Sequence, residues 1–340
     1  MKITKILVAL SFLFSLATAH AGEMTVTGSM KATYQSESDS TTGNPLGMDR
    51  EIAFTGTAEL DNGMNMTVMQ DFGDDGSFGN AKLTFGNVAG MLDIYVGTDG
   101  SEVDAIDDIT PTAFEEANGS GSGTYQDVGG LADEMGIGFK TTLPIIGTVS
   151  GQYVPKADAT ENADGAASGD ASASVGSGEE LVVKTAMGDL PVIGSFLDGN
   201  TLTLGYASEE VSTLVNSSDR LEGTVAITGS YGNFSYGYQK KYIEPGQTTA
   251  GQATDFYKQD IIGLAYAVND NLSISYNTIT EKANRQESAN PSGGQSTDAI
   301  NIGYTVGGIT LGFSDAQTDN ANQVVDAKDD VRRIQVTANF

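Results

Sequence analysis

One pattern recurs along this chain from residue 24 to residue 340: apolar and polar side chains alternate. In "VRRIQVTANF", Ile334, Val336, Ala338 and Phe340 share one parity, and Arg333, Gln335, Thr337 and Asn339 share the other. The stretch 24–35 repeats the arrangement, with Met24, Val26, Gly28, Met30, Ala32 and Tyr34 on one side and Thr25, Thr27, Ser29, Lys31 and Thr33 on the other. A period of two is the side-chain repeat of a β-strand with one apolar and one polar face.

Reading this alternation along the chain predicts sixteen strands. After 24–35 come one near 50–60 and one entered through Met64, Met66 and Val68. Others follow near 80–86, 91–97, 135–143, 147–154, 179–187, 200–208, 220–231, 234–242, 256–268, 271–279, 297–306, 309–317 and 330–340. Turn signals separate them: "DNG" at 61–63, "GN" before 234, "ND" before 271 and "GG" before 309 are tight hairpin dipeptides. Seven connections are short. The eight between them are mostly longer, polar and rich in Gly, Asp, Asn and Ser. An even number of strands with one smooth rim and one loop-laden rim is the rhythm of an up-and-down barrel. Lengths of about 8–12 residues suit a tilted crossing of an apolar layer. Tyrosines and phenylalanines near strand ends, among them Tyr34, Phe85, Tyr153, Tyr206, Tyr231, Phe234, Tyr276, Tyr304 and Phe313, lie on the apolar parity. That is where amphipathic rings sit at an apolar–water boundary.

The first 21 residues read differently. Lys2 and Lys5 precede an apolar run, Ile6 to Ala17, and Ala19-His20-Ala21 supplies a small-x-small site. This is the three-part pattern of a secretory signal peptide, so the mature chain is expected to begin at Gly22. Its removal takes two lysines and no acid, leaving 15 basic residues against 45 acidic ones, a formal charge of −30. So negative a surface, with no basic stripe, argues against nucleic acid as a partner. The chain has no cysteine, and its one histidine, His20, lies in the signal segment. Serine–histidine and cysteine–histidine catalysis and thiolate or imidazole metal sites are thereby excluded. Carboxylate chemistry survives, so a secreted carboxylate enzyme or an acidic surface-structural β-protein stands as the alternative from another class.

The longest connection, about 98–134, carries acids in its first half: Asp99, Glu102, Asp104, Asp107, Asp108, Glu115 and Glu116. Thr110-Pro111 reads as an N-cap and first helical residue, predicting one or two helical turns over "PTAFEEA". A loop this long is functional or disordered. Loop 155–178 is low-complexity. "GSGSG" at 119–123 lacks the strand-to-helix setting of a phosphate loop. "DFGDDGSFGN" at 71–80 clusters acids without EF-hand spacing, leaving Ca2+ at acidic loops as a minor expectation and no cofactor otherwise.

Taken together, the signal segment, sixteen alternating strands, acidic long loops, absence of cysteine and terminal aromatic resemble the general porins of Gram-negative outer membranes across residues 22–340. The resemblance implies a closed 16-stranded antiparallel transmembrane β-barrel in the outer membrane, with short periplasmic turns and long external loops. It implies a water-filled channel for small polar solutes and ions, and no enzyme activity. Loop 98–134 would fold inward as the constriction, its acidic set Glu102, Asp104, Asp107, Asp108, Glu115 and Glu116 facing a basic set on the wall. Lys31, Lys82 and Lys140 have the inward parity for that set. Arg50 matches by position, although it shares parity with Ile52. Phe340 would be the signal read by the outer-membrane assembly machinery. A homotrimer, contacts with lipid and lipopolysaccharide, and a mild cation preference complete the expectation. Within transport, the alternative is a solute-specific porin.

Overall fold

The computed structural model describes residues 22–38, 43–73, 78–98, 101–117, 119, 123–129, 131, 134–155, 175–191, 196–211, 219–246, 254–285 and 294–340. The predicted signal segment, Asp99 and most of loop 155–178 lie outside them.

Sixteen strands are present: β1 (Met24–Glu37), β2 (Leu46–Glu59), β3 (Asn65–Phe72), β4 (Phe78–Val88), β5 (Leu92–Gly97), β6 (Gly136–Leu143), β7 (Gly147–Val154), β8 (Val175–Ala186), β9 (Asn200–Val211), β10 (Arg220–Tyr231), β11 (Phe234–Glu244), β12 (Thr254–Ala267), β13 (Leu272–Arg285), β14 (Gln295–Val306), β15 (Ile309–Asp319) and β16 (Lys328–Asn339). Each pairs antiparallel with its sequence neighbours, and β1 pairs with β16 to close the barrel. Closure removes the two exposed sheet edges that an open sheet would leave.

Register converts local alternation into two continuous surfaces. The row Tyr304–Leu311–Val336–Ala32–Met48 runs across five strands and through the closure, and its large members are exposed on the outside. The neighbouring row Thr310–Thr337–Lys31–Asp49 faces the lumen. Several strands begin earlier or run further than expected from the sequence: β2 starts at Leu46, β8 at Val175, and β13 continues to Arg285. At the long-loop ends of β8 and β13 both faces turn polar, so the alternation fades while the hydrogen-bond ladder goes on, whereas in β2 Leu46 and Met48 keep the apolar outward parity.

The hairpins follow turn chemistry. Tyr231 pairs with Phe234 and Val306 with Ile309, leaving two-residue turns whose first residues, Gly232 and Gly307, have φ of +59° and +58°. Glycine at that position is the requirement of the type II′ hairpin turn.

Phe340 follows β16 and docks on β1. Its backbone exchanges two hydrogen bonds with Gly28, 3.0 and 3.1 Å, and its ring lies over that glycine, where a Cβ would stand 2.5 Å from the ring Cζ. The ring is 69% exposed on the outer face.

The packed apolar core does not fill the barrel. Val103, Ile106 and Val128 of the loop after β5 pack on Val182, Ala207 and Ile243 of the wall. Ala117 and Tyr125 pack on Ile261, Ile279, Ala299 and Ala316. Burying a valine- or isoleucine-sized side chain contributes about 1.5–3 kcal/mol, so two such clusters hold the loop firmly against the inner wall.

Candidate functional site

The loop between β5 and β6 is fastened by inward side chains on strands from β8 to β13. Glu180 on β8 accepts hydrogen bonds from Ser101 Oγ (2.9 Å) and Glu102 N (2.8 Å). Gln239 on β11 accepts from Ile109 N and donates to the carbonyls of Ile106 and Asp107. Asn277 and Ser275 on β13 take the Pro111 carbonyl and the Ala113 amide. On the return path Glu281 accepts from Gln126 N, and Glu222 on β10 accepts from Gly129 N. The wall therefore supplies what a secondary-structure ladder would otherwise give the loop backbone.

Close approach needs room, and glycines provide it. A Cβ on Gly205 would stand 2.6 Å from Ile106, one on Gly237 2.6 Å from Pro111, and one on Gly263 2.7 Å from the Pro111 carbonyl. On Gly303 and Gly312 it would collide with the Ala113 carbonyl and the Phe114 ring. These positions on β9, β11, β12, β14 and β15 form a track for the loop.

The helix expected over "PTAFEEA" is not formed. Thr112 Oγ1 instead donates to the Glu115 carbonyl and accepts from Phe114 N, while wall side chains take the neighbouring backbone groups. The helical turn lies upstream, a short 3-10 element at Asp104–Ile106.

With the loop on the β8–β15 side, the open lumen lies against β16, β1 and β2. A cavity of about 550 Å³ there is lined by Lys31, Asp49, Phe114, Glu115, Arg333 and Gln335, among others. Two ion pairs span its sides: Lys31 Nζ to Asp49 at 2.8 Å, and Arg333 to Glu115 at 3.3 Å. Arg333 also donates to the Gly119 carbonyl and to Gln35.

The acidic set divides. Glu115 faces Arg333 across the cavity edge. Glu102 accepts from the Tyr95 hydroxyl at 3.3 Å, and Lys82 Nζ stands 4.4 Å over the Tyr95 ring, so Lys82 meets the loop through an aromatic. Asp104 is exposed. Asp107 and Asp108 turn toward the wall. Both oxygens of Asp108 are buried and accept no hydrogen bond among the described residues. Burial raises Asp107 to about 6, opposed by Lys241 and assisted by Asp127. It raises Asp108 to about 7, opposed by Lys241 and assisted by Glu116. Burial likewise raises Glu115 against the pull of Arg333, and it raises Glu116. Lys241, wholly buried, pairs with Asp127 at 3.2 Å.

The basic set divides as well. Lys31 and Lys82 are inward. Lys140 is inward but pairs in register with Asp93, three residues from the end of β6, nearer the short-turn rim than the loop. Arg50 requires a correction: it is in register with Met30 and shares the outer face with Met48, Ile52 and Phe54, so it does not belong to the lumen set. Arg333 occupies the place in the lumen that Arg50 was expected to fill. Its inward parity in "VRRIQVTANF" was the signal. Among the described residues no group of three or more carboxylates is placed to hold a metal ion; Asp74 and Asp75 of the acidic stretch 71–80 lie outside them.

No family model matches this chain, and no curated protein matches it. Solved structures do. A variant of the porin of Rhodobacter blastica is 14% identical with a TM-score of 0.60, covering 94% of this chain and 100% of that one. OmpF of Salmonella typhi, in complex with daunomycin, is 11% identical with a TM-score of 0.64, covering 95% of this chain and 100% of that one. The chain therefore has the sixteen-stranded porin fold.

Proposed function

We propose that this protein is an outer-membrane diffusion pore, passing small hydrophilic solutes and ions down their gradients through the gap between the loop after β5 and the wall of β16, β1 and β2. The observation that carries this reading is the placement of the loop: it is strapped flat to one side of the lumen and leaves a polar passage bordered by Lys31, Arg333, Asp49 and Glu115. Opposed charges across a narrow, low-dielectric passage orient water and polar solutes. No bond is made or broken in this mechanism. Mild cation preference follows from the acidic surplus, tempered because Asp107 and Asp108 face the wall and because charges beyond about 8 Å are screened at physiological salt.

The remaining parts of the reading rest on the same barrel. Residues 1–21 direct export, Phe340 with "IQVTANF" is the signal for the assembly machinery, and lipid with lipopolysaccharide surrounds the outer face. The protein assembles as a homotrimer. In support, β5 has six residues, about 20 Å end to end, where a tilted strand needs about 9–11 to cross an apolar layer. Its wall is low enough to want cover from a neighbouring barrel.

Reconstitution into a planar bilayer under a salt gradient tests the proposal. Conductance steps in groups of three with a small cation-favouring reversal potential are expected. No conductance from correctly folded, heat-modifiable protein would refute the pore, and a current that saturates with one added solute would replace it with a specific channel.

A further inference from the structure

Lys258 on β12 and Lys282 on β13 are direct cross-strand partners. Both are exposed, and both share the outward parity of Ile262, Leu264, Ile274 and Tyr276. Side chains directly opposite in an antiparallel pair have Cβ atoms about 4.5–5.5 Å apart, where like charges destabilise. Lys240 on β11 adds a third outward cation, bound to Asp260 at 2.8 Å. In a chain of 17 basic and 45 acidic residues, three lysines against two acids, Asp260 and Glu244, on the outward parity of three adjacent strands reverse the local sign.

Their height on the barrel matters as much as their charge. Toward the short turns, the outward residues of the same strands are Phe234, Tyr236, Ile262, Leu264, Ile274 and Tyr276, large and exposed. The hydroxyls of Tyr238 and Tyr276 donate to Asp260 (2.5 Å) and Asp298 (2.7 Å), marking where the apolar belt gives way to polar surface. The lysines stand at that edge, on the long-loop side. Tyr242, level with Lys258, and Phe256, one outward position further toward the long loops, stack at 5.3 Å, and Lys258 Nζ lies 4.6 Å from the Phe256 ring.

We propose that Lys258 and Lys282, flanked by Lys240, bind the phosphate of a lipid headgroup in the leaflet that surrounds the long-loop end of the barrel. A phosphate between two ammonium groups turns a like-charge repulsion into charge-assisted hydrogen bonds. The edge of the apolar belt is where a headgroup is held by its own acyl chains, and a free anion has no such tether. The proposal rests on the barrel standing in a membrane and not on its lumen conducting.

The full-length protein, folded in a phosphate-free detergent, is titrated with a bisphosphorylated glycolipid, the same lipid without its phosphates, and inorganic phosphate. The readout is the temperature at which the heat-modifiable folded form is lost. Only the phosphorylated lipid is expected to raise it. K258Q/K282Q should need about fivefold more lipid per lysine removed, and K258R/K282R should respond like the wild type. Without lipid, K282Q should be at least as stable as the wild type, because the repulsion is gone; should the double variant not fold, K282Q is titrated alone. Equal protection of wild type and variant, or equal protection by the dephosphorylated lipid, overturns the proposal. An equal shift from inorganic phosphate replaces the lipid with a free anion. Conductance of K282Q equal to wild type is expected, since neither lysine faces the lumen, which separates this test from that of the pore.

Discussion

At the residue scale, the lumen is defined by which charged side chains reach it and which are diverted. Arg333 binds Glu115, Gln35 and the Gly119 carbonyl, so it both narrows the passage and ties loop to wall. Arg333→Ala should raise single-channel conductance and move the reversal potential toward cations. Lys82→Glu should shift selectivity in the same direction, more weakly, because Lys82 stands over the Tyr95 ring rather than beside Glu115. Both changes are read from current–voltage curves under a salt gradient. An unchanged reversal potential in Lys82→Glu would remove Lys82 from the constriction.

At the scale of the loop, buried acids make docking depend on pH. Burial raises the Asp108 carboxyl from 3.8 to about 7, so the docked loop holds that proton more tightly than the undocked chain does. Docking is then strongest below about pH 4 and weakens as pH rises through about 7. Lys241 opposes this, while Glu116, Asp107 and Asp127 reinforce it. Asp108→Asn should remove the part of the dependence centred near pH 7 and leave a shallower fall as pH rises through about 6, where buried Asp107 ionises. Hydrogen-exchange protection of amides 101–117, corrected for intrinsic rates, measures it. The glycine track gives a second prediction. Gly303→Val should push the Ala113 segment off the wall into the passage and lower conductance. Gly56→Val, where nothing stands within 4 Å of an added Cβ, should leave conductance unchanged.

For the whole molecule, the barrel is held between an apolar exterior and a polar interior, and neighbouring residues of one strand experience both. Val336 faces out between Leu311 and Ala32, and Gln335 faces in between Gly312 and Thr33. Val336→Lys should cost about 2–4 kcal/mol if it lies near the middle of the apolar layer, whereas Gln335→Lys should be close to neutral. Urea unfolding in lipid vesicles distinguishes the two, and equal costs would contradict the assigned faces.

Strand number, strand order and the facing of most side chains were legible in the sequence, because a period of two is local and a strand needs no distant information to express it. Arg50 escaped that reading: beside Ile52 its parity was plain, but position along the strand argued the other way, and only the pairing with Met30 decided it. The loop's acids were legible as a cluster but not as two groups. Which of them meet the lumen depends on the path of the backbone over β8–β15, set by glutamates, amides and glycines far apart in the chain. Alternation determined that Glu180, Gln239, Asn277 and Arg333 point inward. Only the closed barrel decided that the first three grip the loop while Arg333 borders the passage, because contacts across a lumen join residues that share no local period.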